Sequence, residues 1–322
     1  MKRTLIALAI LGVGFGLYVF LDAYLTSTHL ADLPPDYTNT ESASFHVFYA
    51  PETEQQARRM MEAGEAFLKE FPKRYGEDFG GLEPPTSRIR LTLFRDHEDF
   101  TRFARKSLKV DLSNNGGYCD SANQEIVLVL SSLKRDLGVL ADTSFKLRLP
   151  SQEEADVMAI RHELVHYLME RGGGDFGSQA APWLSEGLAC LFEMPDPGDG
   201  SPPDLSEWTK LVLSVSRSIP PIPQVVGVGS ESYRGGENAF AYTFSNLLVR
   251  FLWEVDSEDL WSYVRAMRNG TKPSWKSFKT HFGYGLRLEE RWQRSMSDLR
   301  LQAREAIYRA HPEHWKKRPL IR

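Results

Sequence analysis

Cysteine is nearly absent. The 322 residues contain two, Cys119 and Cys190, enough for one bridge at most, which excludes a disulfide framework. An excess of one charge is missing too: 39 Lys and Arg stand against 43 Asp and Glu, a formal net charge of −4. So mild a balance leaves no footprint for a nucleic acid, and no such partner is expected. There is no internal repeat and no low-complexity tract. A collagen-like chain, a coiled coil and a disordered chain are thereby excluded. Hydrophobic residues make up 42% and charged ones 25%, the mix of an ordinary globular protein. The length allows one large domain or two lobes.

Long apolar runs are missing except in one place. Residues 4–21 (TLIALAILGVGFGLYVFL) carry no charge and follow Met1-Lys2-Arg3. Eighteen such residues are at the short end of a bilayer span and the long end of a secretory signal. Lys and Arg do not recur before Arg58, while Asp22, Asp32, Asp36 and Glu41 follow the run. The basic flank is therefore expected to stay cytoplasmic, with the rest of the chain facing outward, periplasmic or extracellular. Residues 1–25 read as a signal anchor in the cell membrane; a cleaved signal peptide and a secreted product are the alternative. Residues 26–44, polar and containing Pro34 and Pro35, read as a linker. Residues 311–322 read as a basic, solvated tail.

Between these ends the pattern is mixed. Alternating runs at 45–50 and 89–94, and a hairpin made of 118–120 and 125–130, predict strands. Helical stretches at 51–75 and, capped by Asp96, at 96–108 lie among them. After Pro150 the pattern turns helical, at 151–171, 182–193, 204–217, 239–254, 257–268, 273–282 and 287–309, with loops at 194–203 and 219–236. Strands first and helices after predict an α+β arrangement of two lobes over 45–310, an αβ lobe at 45–180 and a helical lobe at 181–310.

The chemistry is concentrated in residues 151–171. Ser151 and Glu154 form a capping-box signature, and Gly172, Gly173 and Gly174 stop the helix. Inside it stands His162-Glu163-Leu164-Val165-His166. Histidines four apart lie one above the other on a helix face and can bind one zinc ion. Glu163, one residue on, is not placed as a ligand but can reach a water on the metal and take its proton. Catalytic zinc needs a third protein ligand and an open position. A third His three residues beyond a Gly is excluded, because Met169 and Gly172 occupy those two places. Glu186, twenty residues after His166 in Trp183-Leu184-Ser185-Glu186-Gly187-Leu188-Ala189, is the leading candidate, with Glu170, Asp175 and Glu193 as rivals.

His162-Glu163-x-x-His166 followed by Trp183-Leu184-x-Glu186-Gly187-x-Ala189 resembles the gluzincin branch of zinc metallopeptidases, and within it the compact bacterial peptidase-MA-like proteins. Gly117-Tyr118-Cys119-Asp120, the later stretch Ala241-Tyr242-x-x-Ser245, and Phe278-x-x-x-Phe282-Gly283 with Trp292 are looser parts of the same resemblance, which spans about 45–300. It implies a gluzincin-like two-lobed fold, one Zn²⁺ ion, His162, His166 and Glu186 as ligands, and Glu163 as general base. It also implies that Tyr118, Cys119 and Asp120 form an edge pairing with an extended peptide substrate. A downstream tyrosine, Tyr242 first and Tyr233 second, would stabilise the oxyanion.

Two positions depart from that pattern. Arg161 precedes the first His, where a small or apolar residue is usual. Cys190 stands where relatives place an acidic partner for a zinc histidine; Glu193 or Asp156 could substitute, and a Cys119–Cys190 bridge is a further alternative. The expected function is peptide-bond hydrolysis by a membrane-anchored endopeptidase. An exopeptidase or other amide hydrolase of cell-wall peptides, and an inactive peptidase-like binding module, are the alternatives.

Overall fold

Short β-branched and aromatic runs make a five-stranded sheet in the computed structural model, which describes residues 32–83, 85–113, 115–130, 151–171, 181–233 and 238–310. The strands are β1 (Thr38–Glu41), β2 (Phe45–Tyr49), β3 (Ile89–Phe94), β4 (Gly117–Asp120) and β5 (Glu125–Val129), in the order β1-β2-β3-β5-β4. β2, β3 and β5 run parallel, and β1 and β4 are antiparallel edges. The central strands are buried on both faces, so β5 reads as an unbroken EIVLV.

Alternation along β5 divides the interior. Ile126 and Leu128 face one apolar group, which holds α1 (Glu54–Tyr75) and α3 (Gln152–Arg171) through Met60, Leu68, Ile160 and Leu164. Val127 and Val129 face the other, with Phe94 and with Phe100 and Phe103 of α2 (His97–Phe103). At the β3–β5 pair, Arg90 and Glu125 are cross-strand partners and form an ion pair at 2.9 Å, with the Glu125 side chain 1% exposed.

The remaining helices are α4 (Pro182–Phe192), α5 (Glu207–Val215), α6 (Ile222–Val226), α7 (Asn238–Val255), α8 (Ser257–Arg268), α9 (Trp275–Phe282) and α10 (Leu286–Ala310). The first apolar group runs on through them from Phe45 to Met296, so the sheet and the helices share one interior. Gly187 sets the approach of α4 to α7: a Cβ there would lie 2.6 Å from the Ser245 carbonyl oxygen and 2.7 Å from Val249. Trp292 of α10 is fully buried and donates its indole N–H to the Pro220 carbonyl at 2.8 Å.

The chain is thus a mixed αβ protein, as the order of patterns implied, and the strands match closely. Three differences are physical. Residues 38–41, read as linker, form β1, and Leu33 and Tyr37 pack on the second apolar group; the strand's faces are mostly exposed, so no apolar alternation marks it. Helix 96–108 is α-helical to Phe103 and then widens into a π turn ending at Lys109, φ +60°. Loop 219–236 contains α6 and a 3₁₀ turn, Ser230–Tyr233. The predicted caps form: the Asp96 side chain accepts from Asp99 N–H at 2.9 Å, and Ser151 and Glu154 bond reciprocally at 3.2 and 2.7 Å. Among the described residues no helix is long and apolar enough to cross a membrane. Residues 1–25, the tail 311–322 and Asp175 lie outside them.

Candidate metal centre

Three side chains converge where α3 meets α4. His162 and His166, one helical turn apart on α3, present their Nε2 atoms 3.1 Å from each other. The Glu186 Oε2 atom, from the first turn and a half of α4, lies 3.2 Å from His166 Nε2 and 3.3 Å from His162 Nε2. Tetrahedral coordination with metal–ligand bonds of about 2.0–2.1 Å separates ligand atoms by about 3.3 Å. The triangle therefore has the edge lengths that a zinc ion asks for, from two neutral donors and one anionic donor.

The outer nitrogens are held as well. Glu193, just past the end of α4, places Oε1 2.7 Å from His162 Nδ1. The Ser185 hydroxyl lies 3.0 Å from His166 Nδ1. The Glu193 carboxylate accepts a hydrogen bond from His162 Nδ1–H, which leaves the Nε2 lone pair facing the triangle. Cys190 Sγ is 4.0 Å from the same His162 Nδ1, so His162, Cys190 and Glu193 form a second possible donor group on the far side of the ring.

The electrostatics favour a cation at the triangle. Burial opposes the imidazolium of both histidines. At His166 the nearby Glu186 charge outweighs it, and at His162 the bonds to Cys190, Glu186 and Glu193 do, so both rest above the ordinary histidine range. Burial also works against the Glu186 carboxylate, but the two histidines hold it far below the usual carboxylate range. A metal ion and protons compete for this negative pocket, and metal binding expels the protons.

Glu163 sits beside the triangle without joining it. Its side chain is buried, and burial raises its carboxyl above the ordinary range, only partly countered by His162 and His166. Gly117 makes room for it: a Cβ at that position would lie 2.4 Å from Glu163 Oε1. A cavity of about 380 Å³ opens above these groups, lined by Tyr118 and Cys119 of β4, Glu170 of α3, Tyr242 of α7, and Tyr233. β4 is the sheet edge on this side, and among the described residues its outer backbone groups have no strand neighbour.

The residues expected at the site fall into three groups. His162, Glu163, His166 and Glu186 come together, and Tyr242 joins the cavity wall, its ring 6.2 Å from that of His162. Among the described residues nothing is hydrogen-bonded to the Tyr242 hydroxyl, whereas the Tyr233 hydroxyl is bonded to Ser245 at 2.6 Å. Asp120 belongs to the β4 edge through its backbone, while both of its side-chain oxygens accept from Asn123 in the hairpin turn, at 3.0 and 2.9 Å. Cys119 and Cys190 are free thiols, not a bridge, and burial keeps both protonated. Glu193 acts on His162 Nδ1, while Asp156 accepts from Gln152 at 2.8 Å and takes no part.

Ser185, Gly117 in its spacing role, and the end of the cavity lined by Lys109, Asp111 and Asn115 had no signal of their own in the sequence. No family model matches the chain, and no curated protein matches it.

Proposed function

We propose that the protein is a zinc-dependent endopeptidase with a gluzincin-like two-lobed fold, its ligands His162, His166 and Glu186. The observation that carries the reading is the triangle of donor atoms with a buried, non-ligating carboxylate beside it, under a cavity bordered by β4, the edge strand of the described sheet. A structural zinc site is usually closed by four protein ligands and has no use for such a carboxylate. Zinc bound here would supply a Lewis acid and a water acidified from about 16 to about 7.

The chain's own groups divide the remaining work. The β4 edge would hold an extended peptide through backbone hydrogen bonds. Glu163 would accept a proton from the attacking water on a carboxylate oxygen and deliver it to the departing amine; its raised proton affinity suits both halves of that task. The Tyr242 hydroxyl would donate to the negative charge developing on the substrate carbonyl oxygen. The apolar run at 4–21 behind Lys2 and Arg3 supports placing this activity on the outer face of a cell membrane.

The test is a matched pair of proteins. Purified wild type is expected to carry about one zinc per chain and to cleave an unstructured protein such as casein. Glu163→Gln is expected to keep the zinc and lose about 10²–10⁴-fold in rate, the worth of a positioned general base. Zinc with no cleavage of any broad peptide library would instead support the binding-module reading.

A further inference from the structure

Glu170 is a carboxylate in the cavity for which the proposed chemistry has no use. It lies seven residues beyond Glu163 and four beyond His166, so the three share one face of α3. It lines the cavity beside Tyr118 and Cys119, and its charge is felt at both and at Glu163.

The nearby charges do not neutralise it. Arg171, the next residue, lays its guanidinium over the Tyr167 ring at 5.6 Å and reaches Thr86 at 3.5 Å. Lys109, the cavity's lysine, donates to the Lys106 carbonyl, and Asp111 is paired with Arg105 at 3.2 Å. Among the described residues Glu170 forms no ion pair. Glu186 is committed to the triangle and Glu163 to proton transfer, which leaves Glu170 as the uncommitted negative charge.

Its position decides which cation fits. Seven residues of helix are about 10 Å of rise. The α-amino group of the residue under attack lies about 2.5 Å from its own carbonyl carbon, less than the rise of about 6 Å that four residues put between His166 and Glu170. A lysine or arginine side chain on a backbone paired to β4 carries its charge further out, on a long flexible stem, toward the wall where Glu170 stands. We propose that Glu170 is a specificity residue that selects peptides carrying a lysine or arginine close to the bond to be cut, with the basic head seated on its carboxylate and the backbone on the β4 edge. The proposal rests on the peptidase reading for its substrate class, and it disfavours an aminopeptidase.

Zinc-loaded full-length Glu163→Gln binds the test peptides: fluorescein-tagged, end-blocked octapeptides in which one Lys is walked through an Ala/Ser background, each matched by a norleucine version. Fluorescence anisotropy is expected to show about tenfold tighter binding for Lys at one or two positions, a charge-assisted hydrogen bond's worth. Adding Glu170→Gln should abolish the difference with zinc content unchanged, and Glu170→Lys should reverse it toward a Glu-bearing peptide. Equal affinity for Lys and norleucine at every position, or a preference that survives Glu170→Gln, overturns the proposal. Wild-type cleavage of the same series separates the two claims. A Lys preference in binding without hydrolysis sinks the peptidase reading and keeps the Glu170 site; hydrolysis without a Lys preference does the reverse.

Discussion

The floor of the cavity and its walls are held in different ways. On the floor every imidazole is fixed at both nitrogens: Nε2 faces the triangle, and Nδ1 meets Glu193 or Ser185. Its helices are locked by close contact, with Gly187 pressed on the α7 backbone. On the walls, Tyr242 and Glu170 line the cavity, and among the described residues neither polar end has a hydrogen-bond or ion-pair partner. A floor fixed on both sides suits an ion that tolerates only a few tenths of an ångström, whereas walls with unspent donors and acceptors suit a variable ligand. On the proposed function, affinity for the metal and choice of substrate should be separable by mutation.

The comparison breaks most sharply at the floor. His166→Ala removes one corner of the triangle; bound zinc, measured by elemental analysis, should fall to a small fraction per chain and hydrolysis should vanish. On the wall, Tyr242→Phe should keep the zinc and cost about 10²–10³-fold in kcat. Tyr233→Phe, its hydroxyl already spent on Ser245, should leave kcat close to wild type and lower stability by about 1 kcal/mol in urea melts. An effect at the lower end of that of Tyr242→Phe is expected from Gly117→Ala, whose Cβ must push the Glu163 carboxylate aside: about 10²-fold in kcat with metal retained, as for a misplaced catalytic group. Glu193→Gln should weaken zinc binding about 10–100-fold in a competition titration with a chelator, the usual cost of losing a histidine's carboxylate partner. Cys190→Ser should change zinc affinity least, since the thiol faces His162 Nδ1 rather than the triangle.

The same division governs what could be read without coordinates. His162, Glu163 and His166 were legible because helical spacing alone puts two imidazoles on one face. Glu186 was legible because a short reversal can return a carboxylate to that face. Roles that depend on how α3 and α4 cross were not. Glu193 appeared both as a rival ligand and as a substitute partner, and only the tertiary contact at 2.7 Å assigns it to His162 Nδ1. Ser185 and the space at Gly117 are properties of contacts between elements far apart in sequence. Asp120 shows the converse, since its short side chain is claimed by a turn three residues away. Strand β1 was missed because TNTE buries neither face, and periodicity reports burial rather than hydrogen bonding.

Two donor groups share His162, and one measurement tells them apart. Zinc-edge X-ray absorption on the metal-loaded protein should show nitrogen and oxygen neighbours at about 2.0–2.1 Å, with an imidazole signature from two histidines and no sulfur. A sulfur neighbour at about 2.3 Å would place the ion with Cys190 and Glu193 on the far side of the ring, and would contradict the catalytic triangle.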